Sequence, residues 1–263
     1  MPAIPRGNPL PFAPPSRVGR GGRALVATGL LAVLVACATS PEPLPPDDDL
    51  RILFIGNSLT YSNNLPDMVE RMAVAVDGKV PIVESVTAGD FSLEDHWNRG
   101  EAQTAIRGGK WDLVLLQQGP SALPESRVLL VEFAGKFTEE IRKVGGRPAM
   151  YMVWPPASRV AEWDAVSESY ATAAREVDGV VFPVGEAFRA ALRRAPGLTL
   201  FAGDGFHPSA TGTYLAAIVI YAQATHRSPV GISAIARMVS LSPGDIEALE
   251  GGAAEAIGRY SSP

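Results

Sequence analysis

From residue 50 onward, short and mostly apolar runs alternate with stretches whose apolar side chains recur every three or four positions. These runs, 51–55, 82–87, 113–116, 150–154 and 180–184, almost continuously apolar, predict strands of a parallel sheet covered on both faces. Between them lie helical patterns. Residues 65–76 carry Pro66 in a first turn, and 128–144 place apolar side chains at 130, 133, 137, 141 and 144. Helices are also predicted over 160–177, 186–194 and 210–225. Ser209 is placed to cap the last of these, whose buried stripe includes Leu215, Ile218, Val219 and Ala222. Residues 232–257 add one or two weaker helices, expected on the outside of the fold.

Strands separated in this way by helices predict a three-layer α/β/α fold around a five-stranded parallel sheet of flavodoxin-like order. Ligands of such sheets bind beyond the C-terminal strand ends. Ser58 falls just past the first strand, Gly89 past the second, residues 117–121 past the third, and His207 in the loop before the last large helix. The polar residues able to do chemistry therefore converge on one edge.

The first 49 residues follow a different pattern. Arg17, Arg20 and Arg23 precede an apolar run over 24–36, too short for the ~20 residues that span a bilayer. This fits the apolar stretch of an export signal. The run ends in Leu34-Val35-Ala36-Cys37, and Cys37 is the only cysteine, so no internal disulfide can form. Residues 38–49, rich in proline and aspartate, read as an extended tether. The expected organisation is a signal over 1–36, an anchor and tether over 37–49, a catalytic domain over 50–228 and a helical extension over 229–263. At 263 residues and 46% hydrophobic content the chain is long enough for one such core. Residues 1–36 hold four arginines and no acid. The remainder carries 19 basic against 28 acidic side chains, a balance opposed to nucleic-acid binding.

Two distant stretches supply complementary chemistry. Gly56-Asn57-Ser58-Leu59-Thr60 sets a serine on a turn at a strand end, and Asp204-Gly205-Phe206-His207-Pro208 sets a carboxylate three residues before a histidine. A serine becomes a nucleophile when a base takes its proton, and the base needs an acceptor to fix its tautomer. Ser58, His207 and Asp204 provide the three parts. The chain's three histidines show no paired ligand spacing, which argues against a zinc site, and no cofactor is expected.

These blocks, in this order, resemble those of the SGNH hydrolases, the GDSL-like esterases and lipases. Gly56-Asn57-Ser58-Leu59 is similar to the first block, with Asn57 where the family often has aspartate. Ala88-Gly89-Asp90 is similar to the second, and Asp204-x-x-His207 to the fifth. The resemblance implies a Ser58–His207–Asp204 triad and an oxyanion hole that includes the N–H groups of Ser58 and Gly89. The third block departs: Gln117-Gln118-Gly119-Pro120-Ser121 stands where the family shows Gly-x-Asn-Asp. Gln117, Gln118 and Ser121 are the candidates for the missing side-chain donor. Asn57 and Trp154 are candidates for the substrate cleft. The segment ending at Cys37 resembles the lipobox of bacterial lipoproteins, and Ala38 after it implies an outer-membrane anchor.

The implied function is an exported serine esterase acting on short acyl esters, acetyl on carbohydrate being favoured because exported members often remove it. A polysaccharide O-acetyltransferase and a non-catalytic carbohydrate-binding lipoprotein are the alternatives. A third, a flavin-phosphate site in the loop 57–63, leaves Asp204 and His207 without a use. Each residue also has an ordinary structural role open to it: Ser58 as a helix cap, His207 and Asp204 as turn residues, Trp154 and His96 as core side chains.

Overall fold

The structure is a computed structural model that describes residues 49–235 and 237–260. The expected signal, Cys37 and residues 38–48 of the tether lie outside the described residues. The strands are β1 (Arg51–Gly56), β2 (Ile82–Thr87), β3 (Leu113–Leu116), β4 (Arg147–Tyr151) and β5 (Val180–Phe182). They form one sheet of order β2-β1-β3-β4-β5, with every neighbouring pair parallel. Ile52 to Ile55 of β1 have no exposed surface, as expected for a strand covered on both faces.

The helices are α1 (Ser58–Tyr61), α2 (Leu65–Asp77), α3 (Leu93–Arg99), α4 (Glu101–Gly108), α5 (Pro124–Lys143), α6 (Trp163–Glu176), α7 (Val184–Arg194), α8 (Ala210–Ala224), α9 (Ile232–Ile235) and α10 (Pro243–Tyr260). Helices α3 to α6 pack in one series, each against α5, and α2, α7, α8 and α10 pack in another. The result is the three-layer α/β/α arrangement predicted. The connections from β1 run to β2 on one side and return to β3 on the other. The loops after β1 and β3 therefore part, and leave the crevice in which doubly wound sheets bind ligands.

Local departures from the predicted pattern have identifiable causes. The expected helix over 160–177 begins as a 3-10 turn (Ala157–Glu162), because Arg159 leaves helical geometry at φ −127°; α6 starts only at Trp163. Pro183 closes β5 two residues before the predicted end of that strand. Helices α3 and α4 were not predicted. They are short, and Gly100 at φ +84° separates them, so neither shows enough turns for its periodicity to stand out. Helix α10 buries Leu249 and Ala253 completely and packs on α7 and α8. Among the described residues no helix is long and apolar enough to cross a membrane.

Candidate active site

The turn that carries Ser58 is built from its glycine outward. A Cβ on Gly56 would stand inside the van der Waals envelopes of Gln117 Oε1 and Thr60 Oγ1, so only glycine lets the chain pass here. Asn57 then leaves the strand and caps α1, its Oδ1 accepting from Leu59 N–H at 3.1 Å. Its Nδ2 donates to the Phe91 carbonyl at 2.9 Å. Ser58 follows at the first position of α1, with its backbone N–H making no hydrogen bond among the described residues.

Two buried side chains behind the turn hold it. Gln117, fully buried, accepts at Oε1 from Asn57 N–H (2.8 Å) and Thr60 Oγ1–H (2.7 Å), and donates from Nε2 to Asn57 Oδ1 (2.9 Å) and the Gln118 carbonyl (2.6 Å). His96, also buried, stands 2.8 Å from the Gly56 carbonyl through Nε2. A carbonyl only accepts, so Nε2 carries the proton. Burial pushes the His96 pKa down, opposed by the Gly56 carbonyl and the nearby Asp95 charge, which favours the neutral ring.

The second half of the site is a loop clamped at several points. Ala202 N–H donates to the His207 carbonyl (2.7 Å), Ala157 N–H to the Gly205 carbonyl (2.8 Å) and Trp154 Nε1–H to the Phe206 carbonyl (2.9 Å). Asn63 Nδ2 reaches across from the end of α1 to the Pro208 carbonyl and Thr213 Oγ1, both at 2.9 Å. Ser209 caps α8 as predicted, accepting from Gly212 N–H.

These two halves bring Ser58, His207 and Asp204 into one line. His207 Nδ1–H donates to Asp204 Oδ2 at 2.5 Å, and Nε2 lies 2.8 Å from Ser58 Oγ. Since a carboxylate only accepts, the proton sits on Nδ1 and the Nε2 lone pair faces the serine hydroxyl. Asp204 Oδ1 accepts from the N–H groups of Phe206 (2.9 Å) and His207 (3.0 Å). The hydrogen bond from His207, then that from Phe206 N–H, hold the Asp204 carboxyl down to about 2. The side chains of His207 and Asp204 keep 37% and 49% of their surface exposed, so the site is open and shallow. Gly89 lies after β2, and its N–H, like that of Ser58, has no partner among the described residues.

Several expected roles do not match the geometry. Gln117 is spent on the turn that carries Ser58, as described. Gln118 accepts from Leu93 N–H (3.1 Å) and donates to Ser121 Oγ (2.8 Å) and the Ser126 carbonyl (3.3 Å). Ser121 Oγ–H turns to the Gly119 carbonyl at 3.1 Å. All three are buried, and none presents a free donor to the crevice. Trp154 is no cleft wall: it is fully buried and stacked on Phe188 with ring centroids 3.9 Å apart. Asn57 is likewise turned inward, 7% exposed. Sequence reasoning missed Asn63 and Tyr170. Tyr170, fully buried, donates to the Gln118 carbonyl at 2.6 Å and accepts from Gln118 N–H at 3.2 Å. The pair Asn63-Asn64 did carry a signal, because both adopt positive φ (52° and 55°), which asparagine tolerates better than most residues. No cluster of three or more metal-ligating side chains occurs among the described residues.

No protein-family model matches the chain, and no curated protein matches it. Solved structures do. A protein described as a candidate SGNH hydrolase, from Slackia heliotrinireducens, superposes with a TM-score of 0.57 at 27% identity, over 66% of this chain and 98% of that one. This likeness supports the SGNH hydrolase superfamily for the chain. A DUF4886 family protein from Bacteroides uniformis shares the fold at a TM-score of 0.64 and 21% identity, over 80% of this chain and 95% of that one. An acetyl-xylooligosaccharide esterase from Geobacillus does so at 0.51 and 15%, over 68% and 93%. The stretches at 56–59 and 88–90 follow the ends of β1 and β2, the stretch at 204–207 lies in the loop before α8, and the polar side chains of 117–121 are turned inward.

Proposed function

We propose that this protein is an exported serine esterase that hydrolyses short acyl esters, acetyl esters of carbohydrates above all. The observation that carries the proposal is the continuous line from Asp204 through His207 to Ser58, at 2.5 and 2.8 Å. Likeness to the SGNH hydrolases supports ester-bond hydrolysis. The likeness of fold to an acetyl-xylooligosaccharide esterase is what favours acetylated carbohydrate, and the open, shallow site suits a small acyl group on a bulky alcohol.

In the proposed reaction Ser58 Oγ attacks the ester carbonyl while His207 Nε2 takes its proton. The negative charge on the carbonyl oxygen is met by the N–H groups of Ser58 and Gly89. The imidazolium, stabilised by Asp204, returns the proton to the departing alcohol oxygen, and the acyl group stays on Ser58. Water then attacks the acyl-enzyme, giving its proton to His207, and Ser58 leaves with that proton as the acid is released. Catalysis needs no metal or cofactor in this scheme.

Lipidation at Cys37 and anchoring in the outer membrane, with the domain held off the surface by residues 38–49, are part of the same proposal. Fractionation of cells expressing the full chain tests it. The protein is expected with the outer membrane, and Cys37→Ser is expected to release it; recovery of both proteins in the same soluble fraction contradicts the anchor.

The catalytic proposal is tested by release of acetate from acetylated xylo-oligosaccharides and from p-nitrophenyl acetate, with Ser58→Ala and His207→Ala alongside. Turnover that falls by several powers of ten in both variants is expected. Sugar binding without turnover, unchanged in Ser58→Ala, would instead mark a binding protein. Acetyl transfer to a sugar hydroxyl in preference to water would mark an acyltransferase.

A further inference from the structure

The proposed reaction leaves a gap in the oxyanion hole. Removing one hole donor typically costs ~10²–10³ in kcat, and the donors must stand where charge develops. Backbone N–H groups of Ser58 and Gly89 are free to serve. Every polar side chain of the 117–121 loop is committed elsewhere: Gln117 to the nucleophile turn, Gln118 to Leu93, Ser121 and Ser126, and Ser121 to Gly119. Recruiting Gln117 would strip partners from Asn57 and Thr60 and loosen the turn that presents Ser58.

Tyr61 is the side chain left beside the hole. It sits three residues after Ser58 in α1, and positions i and i+3 of a helix share a face. Its Oη lies 3.3 Å from where a Cβ on Gly89 would stand, so the hydroxyl is against the backbone of the residue whose N–H serves the hole. Tyr61 is 45% exposed, so its hydroxyl is open to a bound substrate. The hydroxyl has no hydrogen-bond partner among the described residues. A free donor on the serine's own helix face, touching Gly89, is placed to meet a developing oxyanion.

We propose that the Tyr61 hydroxyl is the third oxyanion-hole donor, taking the place of the asparagine that the third block lacks. This rests on the serine-esterase reading above. Tyr61 O–H donates a hydrogen bond to the carbonyl oxygen as it becomes negative in forming the tetrahedral intermediate. No proton is transferred, and the bond weakens again when the carbonyl re-forms. Because the donor sits on α1 rather than in the loop after β3, it moves with the nucleophile, and the 117–121 loop is left to hold the turn.

The test is steady-state hydrolysis of p-nitrophenyl acetate by the parent, Tyr61→Phe and Ser58→Ala, together with the rate at which a phosphonofluoridate inactivates the first two. Tyr61→Phe keeps the ring and removes only the hydroxyl of a half-exposed residue, so it is expected to melt where the parent does. The expected result is a fall of ~10²-fold in kcat with KM nearly unchanged, and a comparable fall in the inactivation rate, since that reaction also builds negative charge on oxygen. An active parent with Tyr61→Phe equal to it on both readouts overturns the assignment and leaves the esterase reading intact. A rise in KM at unchanged kcat also overturns it, because the hydroxyl would then bind the ground state. An inert parent, or a Ser58→Ala variant as active as the parent, overturns the esterase reading and this inference with it.

Discussion

Gln117 illustrates how single residues hold this site without entering its chemistry. Its four hydrogen bonds use both ends of the amide, and two of its partners, Asn57 N–H and Thr60 Oγ–H, have no other acceptor as good within the buried turn. An unpaired buried polar group costs ~1–3 kcal/mol. Gln117→Ala is therefore expected to lower stability by about 2–4 kcal/mol in urea unfolding, and to lower kcat because Ser58 loses its fixed position. His96 makes a prediction about pH. Its pKa is pushed below the ordinary value by burial, so the folded state binds the proton less readily than the unfolded chain. The stability it contributes is present above the unfolded value of about 6.5 and is lost as the pH falls from there toward the folded value. Urea midpoints taken from pH 8 down to pH 5 should decline below about pH 6.5, and His96→Gln should flatten that decline; identical slopes would contradict it. The alignment of Ser58, His207 and Asp204 was legible from the residues because Asp-x-x-His and a serine after an apolar run have few joint uses. The roles of Gln117, His96 and Asn63 were not, because nothing in the spacing of an amide or an imidazole says which backbone carbonyl it will meet 40 to 145 residues away.

At the scale of elements, the loop that carries Asp204 and His207 owes its shape to Trp154. The indole lies at the exit of β4, stacks on Phe188 of α7 and donates to the Phe206 carbonyl. Trp154→Phe keeps most of the stacking area and removes that donor. It is expected to leave the fold intact and to lower kcat by roughly 5-fold, equivalent to the ~1 kcal/mol of one hydrogen bond spread into loop geometry; kcat and thermal melting measured together separate this from a loss of stability. The sheet order and the central strands β1 and β3 were legible because a strand covered on both faces is apolar throughout, as residues 52–55 and 113–116 are; β2 leaves Glu84 and Ser85 exposed, and β4 lies at 147–151, three residues before the run 150–154 predicted for it. The inward turn of Trp154 was not legible. A tryptophan just past a strand end fits a cleft wall and a core equally well until the partner ring, Phe188, is placed behind it. Helices α3 and α4 escaped for the opposite reason, each being too short to display a period of its own.

At the scale of the molecule, the C-terminal segment is more than an outer covering. Gly252 of α10 is packed so closely on α7 that a Cβ would come within 2.8 Å of Ala191 N and 2.9 Å of the Ala187 carbonyl. Glu255 pairs with Arg193 and Arg194 of α7 beside this contact. Gly252→Ala is expected to destabilise by about 1–3 kcal/mol through overpacking, read from the urea midpoint, while the activity of the folded fraction is expected to be unchanged because α10 packs on α7, α8, α9 and β5. The sheet, the crevice after β1 and β3, and the clamped 202–208 loop together exist to hold three side chains in line. That alignment is tested most directly by intact-mass spectrometry after exposure to a fluorophosphonate. The account predicts one phosphonyl adduct per chain, mapped to Ser58 by peptide sequencing, absent in Ser58→Ala and formed far more slowly in His207→Ala. An unlabelled parent, or an adduct on any other residue that persists in Ser58→Ala, would contradict it.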